Sequence, residues 1–164
     1  MILLLRIDNR LIHGQILEAW VPRLAAREVV VADDDAAASP LARAALTLCV
    51  PPDLPVRVEP IAAVNWGDLA ASRTPTLVVV RDVEGVVRAR AGGLAPAMTP
   101  AVNVGNVHFA PDRRSVTASV FLSRAEIDTL RTLEREGFRV EVRPIPTEAP
   151  LGLDEVERRF VAGG

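Results

Sequence analysis

The chain has 164 residues, a length that suits one domain whose core buries roughly 70% of the surface of the unfolded chain. Its 19 basic residues, every one an arginine, stand against 21 acidic ones, so no basic field exists for a nucleic-acid backbone, and the absence of lysine excludes P-loop, Schiff-base and lysine-base chemistry. A single Cys49 and two histidines exclude an internal disulfide and the usual Cys/His zinc cage, and neither a metal nor another cofactor is expected.

The apolar start, residues 1–5, meets Arg6 and Asp8 at once, too soon for a signal-peptide core or a membrane span, so a cytoplasmic protein is expected. Residues 1–7 predict a first strand and residues 15–26 a helix. A second strand follows at 29–32, then a helix over 39–48 that Ser39 caps and Pro40 enters. Strands at 56–58, 77–80 and 101–104 alternate with helices at 61–72 and 83–91, the latter closed by Gly92-Gly93. The strand runs are continuously apolar, the pattern of parallel strands covered on both sides. After Asn106 the rhythm changes. Residues 107–109, a turn at 111–114 and residues 115–122 alternate like an antiparallel hairpin lying at one side of the sheet. Ser123-Arg124-Ala125-Glu126 is a capping box that opens a helix ended by Gly137; a strand at 138–143 and a helix at 153–161 complete the chain. The class is α/β: an open, mostly parallel β-sheet with helices on both faces and an antiparallel hairpin in the C-terminal half. No repeat or long linker divides it, and residues 1–164 are read as a single domain.

In an open parallel sheet, ligands gather beyond the carboxyl ends of the strands, where helix N-termini also point. There the chain reads Arg6-Ile7-Asp8-Asn9-Arg10-Leu11-Ile12-His13-Gly14-Gln15, a strand-to-helix loop with two guanidinium groups, a carboxylate and an imidazole. A histidine at the mouth of a helix sits where free N–H groups favour an anion, and a neutral imidazole offers a nitrogen lone pair. Gly14 beside it lets the backbone approach closely. Arg10 supplies a planar fork matched to phosphoryl oxygens, and Asp8 can hold either the imidazole tautomer or the arginine. The set suits phosphoryl transfer through a phosphohistidine, although a loop histidine with no such role is the plainer alternative.

The ten residues from Arg6 to Gln15 resemble the active-site loop of the enzyme IIB component of the mannose/fructose/sorbose family of the bacterial sugar phosphotransferase system. Val29-Val30-Val31-Ala32-Asp33-Asp34 resembles that family's second strand with its acidic end, and Val102-Asn103-Val104-Gly105-Asn106 its Val-Asn-Val-Gly-Gly segment. The resemblance implies that His13 accepts a phosphoryl group from the phosphohistidine of a IIA partner and gives it to a sugar held by membrane IIC/IID components. It implies too that Arg10 steadies the phosphoryl group, with Arg6, Asp8, Gly14 and Gln15 in support. Asp34, Arg81, Asn103 and Gly105 stand as further candidates at the strand ends. The activity implied is that of a protein-Nπ-phosphohistidine–sugar phosphotransferase, peripheral to its transporter.

Three departures from the family pattern stand out. Asn9 replaces a second acidic residue. Val80-Arg81-Asp82 replaces a Ser/Thr/Asn-Pro turn, so Arg81 either approaches the phosphate or simply pairs with Asp82. Asn106 replaces a glycine, and asparagine can still adopt a left-handed backbone. Asp33-Asp34-Asp35 reads as helix N-terminal charge rather than a magnesium site, and His108 as an exposed histidine. Trp20 and Trp66 are expected in the core, and Cys49, after a buried helix, as a small apolar residue. Two other functions compete with the phosphocarrier: a regulatory phosphoprotein of the same fold without a transport partner, and an α/β ligand-binding domain with no covalent step. A chain this apolar also leaves room for homo-oligomer formation.

Overall fold

The computed structural model describes residues 1–163. Six strands form one parallel sheet in the order β3-β2-β4-β1-β5-β8. They are β1 (Ile2–Asp8), β2 (Glu28–Ala32), β3 (Val56–Glu59), β4 (Thr76–Val80), β5 (Val102–Asn106) and β8 (Val140–Val142). Alternating side chains of the central strands enter two separate cores. Leu5, Ile7, Val78, Val80, Val102 and Val104 face one side, where Trp66, Val86, Leu130 and Val156 pack on them. Leu4, Val29, Val31, Leu77 and Val79 face the other, against Ile16 and Trp20. Burial on both faces is why these runs are apolar without alternation.

Helices α4 (Trp66–Ala71), α5 (Val83–Ala91), α6 (Arg124–Arg135) and α7 (Leu153–Ala162) bring buried residues to the first core. The other face is covered by a π-helical turn at Ile16–Trp20 that continues into α1 (Val21–Leu24), and by α2 (Asp34–Ala38) with α3 (Pro40–Thr47) outside it. Asp33 caps α2, Ser39 caps α3 and Asp82 caps α5, each accepting a backbone N–H of the first turn. The expected capping box of α6 is present, and Gly137 leaves that helix at φ +101°.

Several sequence expectations are corrected. The helix expected over 15–26 is a π-turn plus a short α-helix that stops at Ala25, which is left-handed at φ +52°. The helix expected over 61–72 is broken into a 3-10 turn, Ile61–Ala63, and α4, because Asn65 is extended and caps the second piece. Helix α2 is not among the expected helices, although Asp33-Asp34-Asp35 do stand at a helix N-terminus, as expected, and that helix is α2. The hairpin lies wholly within 114–122, as β6 (Arg114–Thr117) and β7 (Val120–Leu122), with its turn at Ala118-Ser119. It forms its own two-stranded sheet, held to the end of β5 through Val107, which pairs with Val120. Asn106 is in extended strand, not left-handed. Cys49 is exposed, since α3 buries no residue of its own.

Candidate functional site

Strand β1 lies between β4 and β5, so the loop that follows it is flanked by the ends of both. Asn9 ties the three ends together: its amide Nδ2 donates to the Arg81 carbonyl at 2.7 Å and its Oδ1 accepts the His108 N–H at 2.6 Å. Beyond it the backbone turns back at Leu11, where a φ of +56° is unusual for a residue with a branched side chain. The Leu11 N–H closes that turn on the Asp8 carbonyl at 2.9 Å. This reversal returns His13 to Asp8, five residues earlier.

Asp8 is the hub. Its carboxylate is fully buried, and its Oδ2 lies 3.1 Å from His13 Nε2 and accepts from Arg6 Nη2 at 3.0 Å. Its Oδ1 accepts from the Arg10 backbone N–H at 3.1 Å and from Arg10 Nε at 3.3 Å. Burial alone would raise the Asp8 carboxyl. The hydrogen bond from His13 and the charges of Arg6 and Arg10 outweigh it and hold the group below the usual carboxylate range. An ionised carboxylate only accepts, so His13 Nε2 carries the proton and Nδ1 keeps its lone pair. Nδ1 in turn receives the Gln15 backbone N–H at 3.3 Å, while the His13 carbonyl accepts the N–H groups of Ile16 and Leu17. The lone pair therefore faces the start of the helical segment.

Arg6 is buried behind Asp8. Burial lowers its pKa to about 10, with Asp8 partly opposing, so it stays protonated at neutral pH. All five of its N–H groups find acceptors: Asp8 twice, Asn103 Oδ1 at 2.6 Å, and the carbonyls of Arg143 and Pro144. Its guanidinium carbon lies 4.8 Å from the centre of the Trp20 ring. Arg10 is the open cation, 39% exposed, and it also donates to Gln15 Oε1 at 3.2 Å.

The loop residues Arg6, Asp8, Arg10, His13 and Gln15 thus come together. Gly14 is exposed and nothing packs against it closely, so it keeps the helix mouth open rather than admitting a neighbouring backbone. Asn103 and Gly105 belong to the buried side of the site, around Arg6. Asp34 stands apart, paired with Arg88 at 2.5 Å and accepting the Ile61 N–H. Arg81 pairs with neither Asp82 nor the loop carboxylate; its guanidinium grips Asp33 with two bonds of 2.7 Å. Burial would raise Asp33, but the Arg81 bonds and the Ala36 N–H hold it below the usual range. Among the described residues no group of His, Cys, Asp and Glu is placed to hold a metal ion. Sequence reading missed the stacking of Trp20 on Arg6 and the part of Asn9. An amide in an otherwise charged loop was the available signal for Asn9; the carbonyls of Arg143 and Pro144 carry none.

The family model described as the PTS system sorbose subfamily IIB component matches residues 2–160. The chain belongs to this family. This IIB chain is 32% identical over 160 residues to the PTS system fructose-specific EIIB component of Bacillus subtilis, covering 96% of each chain. It is 30% identical over 155 residues to the PTS system mannose-specific EIIAB component of Escherichia coli, a match of 92% of this chain and 46% of that longer protein. The crystal structure of manxB from Thermoanaerobacter tengcongensis superposes with a TM-score of 0.83 at 26% identity, over 98% of this chain and 96% of the other. The IIB chain is thus a component of a sugar-transport phosphotransferase system. Among its described residues no helix is long and apolar enough to cross a membrane.

Proposed function

We propose that this IIB chain carries a phosphoryl group on His13 Nδ1, taking it from the phosphohistidine of a IIA partner and giving it to a sugar of the mannose/fructose/sorbose class at membrane IIC/IID components. One observation carries the reading: the buried Asp8 holds Nε2 at 3.1 Å and leaves Nδ1 unprotonated beside the Gln15 N–H. In the first transfer the Nδ1 lone pair attacks phosphorus in line, the donor's P–N bond breaks, and its electron pair returns to the IIA imidazole. The His13 ring then bears positive charge with its proton still on Nε2, directly against the Asp8 carboxylate. In the second transfer a sugar hydroxyl oxygen attacks phosphorus, the Nδ1–P bond breaks, its electrons return to the His13 ring, and the hydroxyl proton leaves to solvent.

Positioning and charge supply the catalysis. Arg10, exposed and held to Asp8 and Gln15 by bonds of 3.2–3.3 Å, is free to move its fork onto the phosphoryl oxygens. Arg81 is committed to Asp33 and is given no such part. Incubation with phosphorylated IIA protein followed by mass spectrometry tests the proposal. An acid-labile, base-stable label on His13 is expected; a label on His108, or none, overturns it. Labelling without onward transfer to any sugar in membranes holding IIC/IID would favour a regulatory phosphoprotein.

A further inference from the structure

We infer that Gly105 is a positioning residue for His13, acting through Arg6 and Asp8; the inference concerns the resting site and rests on the proposed function only for its effect on transfer. The register of β1 and β5 carries the first observation. Ile7 pairs with Val104 and Asp8 with Asn106, so Gly105 is an extra residue in β5, a bulge at the strand end beside the carboxylate hub. Its φ does not require glycine. What requires glycine is the space: a Cβ placed on Gly105 would fall 1.8 Å from Arg6 Cζ and about as close to both terminal nitrogens, Nη1 and Nη2.

The guanidinium is thus walled by Trp20, by the bare backbone of Gly105 and by the acceptors that take all its N–H groups. It has nowhere to retreat that keeps those bonds. A methyl group at 105 must push Arg6 away, and Asp8 Oδ2 then loses the two donors that fix it from behind. That same oxygen is the one that holds His13 Nε2. The glycine therefore acts at a distance on which ring nitrogen of His13 bears the proton.

The test is Gly105→Ala, read by the ¹⁵N NMR shifts of the His13 ring in unphosphorylated protein and by the rate of transfer from phosphorylated IIA. The parental ring is expected to be the Nε2–H tautomer. The variant is expected to show a mixture of tautomers and transfer slowed about a hundredfold, the cost of misplacing a reacting group by roughly 1 Å. A folded variant with the parental tautomer overturns the inference. The tautomer readout needs no phosphoryl transfer, so failure of His13 to accept phosphate would overturn the proposed function and leave this inference standing. Should Gly105→Ala not fold, Arg6→Lys and the double variant decide, because the slender ammonium does not need the space that a guanidinium fills. A double variant as well folded as Arg6→Lys alone supports the inference; one that also fails to fold assigns Gly105 to the backbone and overturns it.

Discussion

At the level of single residues the site separates two arginines that look alike in sequence. Arg6 is fully buried and has no N–H to spare, whereas Arg10 is 39% exposed with long, replaceable bonds. Arg10→Lys keeps the charge and loses the fork, so rapid-quench transfer from IIA is expected to slow by about ten- to a hundredfold, the worth of one charge-assisted hydrogen bond realised in the transition state. Parental speed in that variant would show that Arg10 contributes only charge. Asp8→Asn acts on the charge. Arg6 and His13 hold its oxygen at the Oδ2 position, so the new amide nitrogen falls at the Oδ1 position against the N–H groups of Arg10, which lose their acceptor, and the ring that turns cationic on transfer loses its counter-ion. A loss on the order of 10²–10³-fold in transfer is expected in protein that remains folded, with ¹⁵N shifts still showing Nε2–H; an unchanged rate would show that the Asp8 charge takes no part. Asn9→Asp removes the donor to the Arg81 carbonyl and sets a carboxylate against it, leaving only the bond from the His108 N–H. Faster amide exchange at residues 81–82 and 107–108 is the expected outcome, and unchanged exchange would refute the tie between the three loops.

Among the elements, those with a full signal of their own were legible. The six sheet strands, α5 with its Gly92-Gly93 end and α6 with its Ser123–Glu126 box fall where apolar runs, a closing glycine pair and a capping box put them. Ser123→Ala should cost about 1 kcal/mol in urea denaturation, because it removes an acceptor from the Glu126 N–H and half of a reciprocal cap. Elements set by tertiary context were not legible. The turn at Ala118-Ser119 has weak turn residues, and Pro111-Asp112 outcompeted it on local chemistry although the strands pair elsewhere. Helix α2 is only five residues long and begins with aspartates, so periodicity had nothing to count. The π-turn after His13 leaves no mark in sequence, yet it places Trp20 on Arg6. In the site, the loop members were legible because they are contiguous. The supports from β5 and the segment after β8 were legible only as strand-end candidates, since their contacts to Arg6 span 97 to 138 residues.

For the molecule as a whole, Asp8 and Asp33 both have carboxyls held below their unfolded values. The stability they add is therefore complete above the unfolded carboxyl pKa of about 3.9 and is lost as pH falls through their folded values. Unfolding free energy should be flat near neutrality and decline below about pH 4, a profile that urea titrations at several pH values would reveal. The exterior of α3 and its C-terminal end are apolar for a surface, with Leu41 80% and Leu48 83% exposed, and Cys49 exposed next to Leu48. One thiol should accordingly react with a maleimide in native protein at the rate of a free cysteine, and slow reaction would mean that something covers this face. The charge inventory of the loop has a kinetic meaning. Empty, it holds the cations of Arg6 and Arg10 against the single anion of Asp8, an excess of one positive charge that draws in a phosphorylated donor. Once His13 carries a dianionic phosphoryl group on a cationic ring, that excess is cancelled, and the long-range pull on another phosphorylated donor vanishes. The carrier thus has a built-in sense of turn-taking: association with phosphorylated IIA should weaken steeply with salt when the site is empty and hardly at all when it is loaded.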